Sequence, residues 1–166
     1  MRYLVRERFL AVGEDFWIED EHGDRAFLVD GKAMRVRDTF ELKDPAGAVL
    51  LVIRQKLVSL RPAMTIEQPG GKLVATVRKK RLTVLRERYR AELADGSELD
   101  IKGNVIDKEF DIEYEGERLA RISKKWFRVR DTYAVDVARD DADPALLIAC
   151  AVSVDSLEER LARRKD

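Results

Sequence analysis

The chain has 166 residues, 45% hydrophobic and 39% charged, and its 32 basic and 32 acidic residues cancel to a formal net charge of +0. That length suits a single domain, residues 1–166, able to bury a core without cross-links, and the composition is that of an ordinary soluble globular protein and lacks the low hydrophobicity of disordered chains. Neutrality argues against nucleic acid as a partner held by a global positive field, so only a local basic patch could serve.

The chain starts "MRYLVRERFLAVGED", where Arg2, Arg6, Glu7 and Arg8 interrupt the apolar residues and exclude the continuous apolar run of a secretory signal. No stretch reaches the roughly 20 apolar residues of a spanning helix, so no transmembrane segment is expected. From Met1 to about Arg139 apolar and polar residues alternate with period two, the pattern of strands with one dry and one wet face. The dry faces read as Val36, Phe40 and Leu42; Val49, Leu51 and Ile53; Leu73, Ala75 and Val77; Leu85, Tyr89 and Leu93; Phe110, Ile112 and Tyr114; and Tyr133, Val135 and Val137.

Turn signals separate these runs: "EHGD" at 21–24, "DPAG" at 44–47, "QPGG" at 68–71, "ADGS" at 94–97 and "YEGE" at 114–117. Such short connections join antiparallel neighbours, and the crossover helices that a parallel sheet needs are not visible. Roughly ten to twelve strands in an antiparallel meander are predicted, within the range of sandwiches and barrels.

The period then changes. Asp143 followed by Pro144 is a helix start, and Leu147, Cys150, Val154, Leu157 and Leu161 recur at helical spacing. Leu146, Ile148, Ala149 and Val152 cover the rest of the circumference, so the helix, predicted over about 144–162, is apolar all round at first. It must be enclosed by lipid or by protein. The uncharged stretch Ala145–Val154 is ten residues, about 15 Å of helix, half of what a bilayer core requires. The strands are therefore expected to close around it, with its charged end, from Glu158, emerging into water.

The ordered pieces "FLVDGK" (27–32), "VLLVIRQK" (49–56), "GNVIDKEFDI" (103–112), "ARISKKW" (120–126), "YAVDV" (133–137) and "LLIACAVSVD" (146–155) resemble the LURP-one-related family of Tubby C-terminal-like proteins. The resemblance spans nearly the whole chain. It implies a mainly β fold, a closed antiparallel barrel of about twelve strands around a C-terminal buried hydrophobic helix. Tubby-type barrels include phosphoinositide binders, but the resemblance assigns no binding residue to a position of this chain.

Little in the sequence points to catalysis. His22, the single histidine, lies in the charged turn "EDEHGD", where Glu19, Glu21 and Asp24 supply metal-ligand types without a recognised spacing; a solvated turn is the simpler reading. Cys150, the single cysteine, excludes an intramolecular disulfide and a cysteine zinc cluster, suits a reducing, cytoplasmic setting, and reads as a small core hydrophobe. "QPGGK" lacks the spacing of a phosphate loop, and the carboxylates of residues 109–115 point outward from their strand. The chain is expected to be no enzyme and to need no cofactor or metal.

A helix filling the barrel leaves little room for a carrier's ligand cavity, so function is expected on the outside. There the main feature is "VRKKRLTVLRERYR", residues 77–90, in which seven of fourteen residues are basic and only Glu87 is acidic. It reads as a hairpin with Lys79, Lys80 and Arg81 in its turn and Arg86, Arg88 and Arg90 along one face of the return strand. Arg78, Lys79, Lys80, Arg81, Arg86 and Arg88, with Lys124 and Lys125 beside Trp126 and Phe127, are the candidate lipid or anion-binding residues. Near an anionic membrane surface each such cation contributes on the order of 1 kcal/mol. A non-catalytic module, peripheral at the membrane and recognising anionic lipid head groups, phosphoinositides included, is the first expectation. The alternative is a scaffold whose acidic strand 109–115 and basic faces meet a protein partner.

Overall fold

Alternating apolar and charged residues form a strand wherever one face can be buried and the other wetted. The computed structural model describes residues 1–6, 15–31, 39–80, 86–104, 109–123 and 132–163. They form β1 (Arg2–Arg6), β2 (Asp15–Asp20), β3 (Arg25–Gly31), β4 (Thr39–Lys43), β5 (Val49–Gln55), β6 (Ala63–Glu67), β7 (Leu73–Lys79), β8 (Arg86–Leu93), β9 (Glu98–Asn104), β10 (Glu109–Tyr114), β11 (Glu117–Ser123) and β12 (Thr132–Val137), followed by the helix α1 (Pro144–Arg163). Each strand pairs antiparallel with its neighbours in sequence, and the ring closes where β1 pairs with β12, Arg2 opposite Asp136 through Arg6 opposite Thr132. The expected closed barrel and C-terminal helix are both present. Closure leaves none of these strands with an unpaired edge.

The hairpins at one end are tight. Gly23 (φ 83°), Gly47 (φ 90°), Gly71 (φ 91°) and Gly96 (φ 90°) each take the left-handed backbone that a β-carbon disfavours. Each donates its N–H to the carbonyl three residues earlier, on Asp20, Asp44, Gln68 and Leu93 respectively. Asp20, Asp44 and Asp95 brace three of these turns by accepting backbone N–H groups on their side chains. Odd-numbered strands run away from this end, so Gln55, Lys79, Asn104 and Ser123 finish at the far end.

Each strand contributes to an inner ring: Val5, Ile18, Val29, Leu42, Ile53, Ile66, Val77, Tyr89, Ile101, Ile112, Ile122 and Val135 are all buried. The helix starts at the tight-turn end, where the Asp143 carboxylate accepts the Ala145 N–H at 3.0 Å as an N-cap. Every residue from Leu147 to Leu157 is buried, which only an enclosing wall can achieve for three turns of helix. Ser153 is accommodated by donating its hydroxyl to the Ala149 carbonyl at 2.8 Å.

Two dry-face assignments need correction. The β6–β7 register shifts between Ile66 and Glu67, which brings Leu73 opposite Glu67 and leaves it exposed. Tyr114, beyond a similar shift after Ile112, is also exposed beside its turn. Val36 and Leu85 lie outside the described residues.

Gly103 faces inward opposite Phe110, whose ring lies across it; a β-carbon at 103 would sit 2.3 Å from the ring's Cε1. Gly103→Ala is expected to lower unfolding free energy by about 1–3 kcal/mol in urea titrations, because that ring must move into a packed interior. Ile148→Asp combined with Val152→Asp places two unpaired charges inside the wall. No cooperative thermal transition is expected, and a folded, soluble double variant would disprove the enclosure.

Candidate functional site

The outer wall is mostly a lattice of matched charges. Lys43 Nζ lies 2.6 Å from Asp30, Arg54 3.4 Å from Glu67, Arg121 2.8 Å from Asp111 and Arg2 2.6 Å from Asp136, each across a strand pair. An exposed pair such as Arg2–Asp136 contributes about 0–1 kcal/mol, so its main effect is to cancel the local field of the wall.

On β7–β9 the cancellation is graded. The register stacks three outward rows along the barrel axis: Thr76, Glu92 and Glu98 nearest the tight turns; Arg78, Arg90 and Asp100 next; and Lys80, Arg88 and Lys102 nearest the far end. Carboxylates thus give way to cations toward the far end. Arg90 is held by Glu98 at 3.2 Å, Lys102 by Glu113 at 2.6 Å, and Lys80 lies 3.6 Å from Asp100. Arg88 is exposed, and neither it nor Arg78 forms an ion pair among the described residues. Arg78 instead donates from Nη1 to Ser59 Oγ at 3.2 Å.

Lys79 is placed differently from the expected turn. β7 runs through it, and alternation turns its side chain inward beside Val77, with 15% of it accessible. Its ammonium lies 3.2 Å from Glu87 Oε1 and 3.8 Å from Glu158 Oε1, over the Tyr89 ring at 5.4 Å. Tyr89 donates its hydroxyl to Glu158. The charged end of α1 reaches water at Glu159, one residue later than expected, while Glu158 stays half-buried: the last buried turn of α1 leads into a polar plug of Lys79, Glu87, Tyr89 and Glu158 at the far end of the barrel. Period two carried the signal, since 77 and 79, and 87, 89 and 91, share parity.

Burial, reinforced by the hydrogen-bonded Glu87 carboxylate, raises Glu158 from the ordinary 4.5 to about 7, although Tyr89 and Lys79 pull the other way. Burial and the bond to Glu158 also raise Tyr89, which stays a phenol and a donor.

Of the other candidates, Arg81, Lys124 and Lys125, with Trp126 and Phe127, lie outside the described residues. The backbone of Arg86 pairs with Asn104, and its side chain lies outside the description. His22 is exposed in its turn, its N–H donating to Asp20. Among the described residues no group of three or more His, Cys, Asp or Glu side chains is placed to hold a metal. Cys150 is buried, and burial pushes its thiol up to about 12, which keeps it protonated and unreactive. No helix among the described residues is long and apolar enough to cross a membrane.

The family model described as LURP-one-related matches residues 1–155, from the first strand through the buried turns of α1. The chain belongs to the LURP-one-related family. Its closed barrel around a helix is consistent with the Tubby C-terminal-like superfamily. No curated protein gives a significant match. In this LURP-one-related barrel a depression of about 380 Å³ lies where α1 enters, between Leu93, Leu99, Tyr114, Leu119, Leu146 and Leu147, with Asp95, Arg139, Asp141 and Asp143 among the residues around it. It lies at the opposite end from the cation row.

The raised Glu158 has a defined consequence. Between pH 4.5 and about 7 the folded chain holds a proton that the unfolded chain has released, so this group's contribution to stability is full below 4.5 and is lost as pH rises through about 7. Relative to Glu158→Gln, the wild type is expected to lose stability between pH 5 and pH 8, read as the difference in urea midpoints of the two proteins. A pH-independent difference would show that Glu158 titrates as an ordinary carboxylate.

Proposed function

We propose that this chain is a non-catalytic binding module that rests on anionic lipid head groups, phosphoinositides included, through Arg78, Lys80 and Arg88, with Lys102 beside them. The observation that carries this reading is the gradient on β7–β9, where the row nearest the far end is cationic on three adjacent strands and the row nearest the tight turns carries Glu92 and Glu98. Closely spaced guanidinium and ammonium groups suit phosphate oxygens, which accept several charge-assisted hydrogen bonds at once. The buried α1 occupies the barrel interior, which favours contact through the outer wall.

The protein-scaffold reading has less support. On β10, Asp111 accepts two bonds from Arg121, at 2.8 and 3.0 Å, and Glu113 lies 2.6 Å from Lys102. Those carboxylates are engaged within the sheet, which leaves less free negative charge for a basic partner.

Cosedimentation with vesicles tests the lipid reading. Binding to vesicles carrying phosphatidylserine or phosphoinositide, but not to neutral phosphatidylcholine vesicles, is expected at low salt and should weaken as salt screens the charges. Replacing Arg78, Lys80 and Arg88 together by Ala should weaken binding on the order of a hundredfold, about 1 kcal/mol for each cation. Equal binding to neutral and anionic vesicles would reject the proposal.

A further inference from the structure

The connection between β5 and β6, "KLVSLRP" from Lys56 to Pro62, differs in chemistry from the tight hairpins. Their tips are polar or glycine-rich, whereas here Leu57, Val58 and Leu60 stand 53%, 90% and 106% exposed. Single exposed apolar residues are ordinary on a protein surface, but three within four positions at one tip mark a contact site.

The placement of this tip is held by specific bonds. The Lys56 N–H donates to the Ala63 carbonyl at 2.9 Å and closes its base. Ala63 lies opposite Arg78 in the β6–β7 register, and Arg78 donates to Ser59 in the middle of the tip. The apolar side chains are thus bracketed in sequence by Lys56 and Arg61 and fastened to the first cation of the basic face. No acidic residue occurs between Gln55 and Ile66.

We propose that residues 57–60 are an insertion tip: Leu57, Val58 and Leu60 enter the head-group and upper acyl region of an anionic bilayer while Lys56, Arg61 and Arg78 remain at the level of its phosphates. This rests on the lipid reading above and extends it from electrostatic adhesion to partial penetration. The occupant is chosen by the combination of chemistries. An anionic bilayer offers negative charge at its surface and hydrocarbon just beneath, the order in which this loop presents cations and apolar groups. Insertion also implies that part of the binding survives salt, because burial of apolar surface is not screened.

The test uses the full chain with Val58→Ser and Leu60→Ser together, and separately Leu60→Cys carrying an environment-sensitive fluorophore, with buried Cys150 left in place. Both changes are at exposed positions, and an unchanged thermal transition verifies the fold. On phosphatidylserine-containing vesicles the serine variant should bind roughly tenfold or more weakly than wild type, with the larger loss at high salt. The label should shift to the blue and be quenched by lipids bearing a spin label near the top of the acyl chain. If wild type binds anionic vesicles while the serine variant binds equally and the label stays in water, the insertion tip is refuted and the basic-face reading stands. If wild type does not bind anionic vesicles, both fall. A blue shift that needs no lipid and grows with protein concentration would identify a second copy of the chain as the occupant and overturn the proposal.

Discussion

An α-helix with no polar side persists in water only when something encloses it, and the structure follows from that requirement. Residues 147–157 are buried around the whole circumference of α1. Twelve strands supply the enclosure, each with at least one buried side chain in the core that also contains α1, and closing β1 on β12 covers the helix and removes the sheet edges together. Helix and barrel are each incomplete alone: a strand ring of this size needs a filling, and the filling needs a wall.

Packing the interior leaves two kinds of place for chemistry, the ends and the outer wall. At the tight-turn end the helix begins under an Asp143 cap beside a shallow depression. At the far end the apolar filling gives way to Lys79, Glu87, Tyr89 and Glu158, a set in which two carboxylates share one ammonium and one phenol. Burial of the Glu158 carboxyl, reinforced by its hydrogen bond to Glu87, is why it holds its proton to near neutrality. On the wall, cross-strand pairing engages many of the described charges, Lys80 and Lys102 of the cation row among them, so Arg88 and the apolar tip fastened to Arg78 stand out by contrast.

The architecture was largely legible in the residues. Glycine at a left-handed turn position, alternation along a strand and an Asp-Pro helix start are local signals, because the backbone rule behind each acts over a few residues. The basic stretch 77–90 was legible as a composition but not as a surface. Among its described cations Lys79 points inward, committed to Glu87 and Glu158, while Arg78, Lys80, Arg88 and Arg90 point outward. Lys102 joined the cation row only through strand register, which brings together residues distant in sequence. "KLVSLRP" had no period to interpret, so its exposure appears only once the core is seen to form without it.

By itself the sequence determined the strand meander, its turns, the helix and the need to enclose it, since each depends on the preferences of neighbouring residues and on the cost of wetting apolar surface. Only the tertiary structure decided which charges meet, that Glu158 is half-buried against Tyr89, and that the apolar tip stands beside Arg78. Those outcomes depend on register and closure. A shift of one residue turns a side chain from the core to the water, and that choice is made by the whole ring of strands at once.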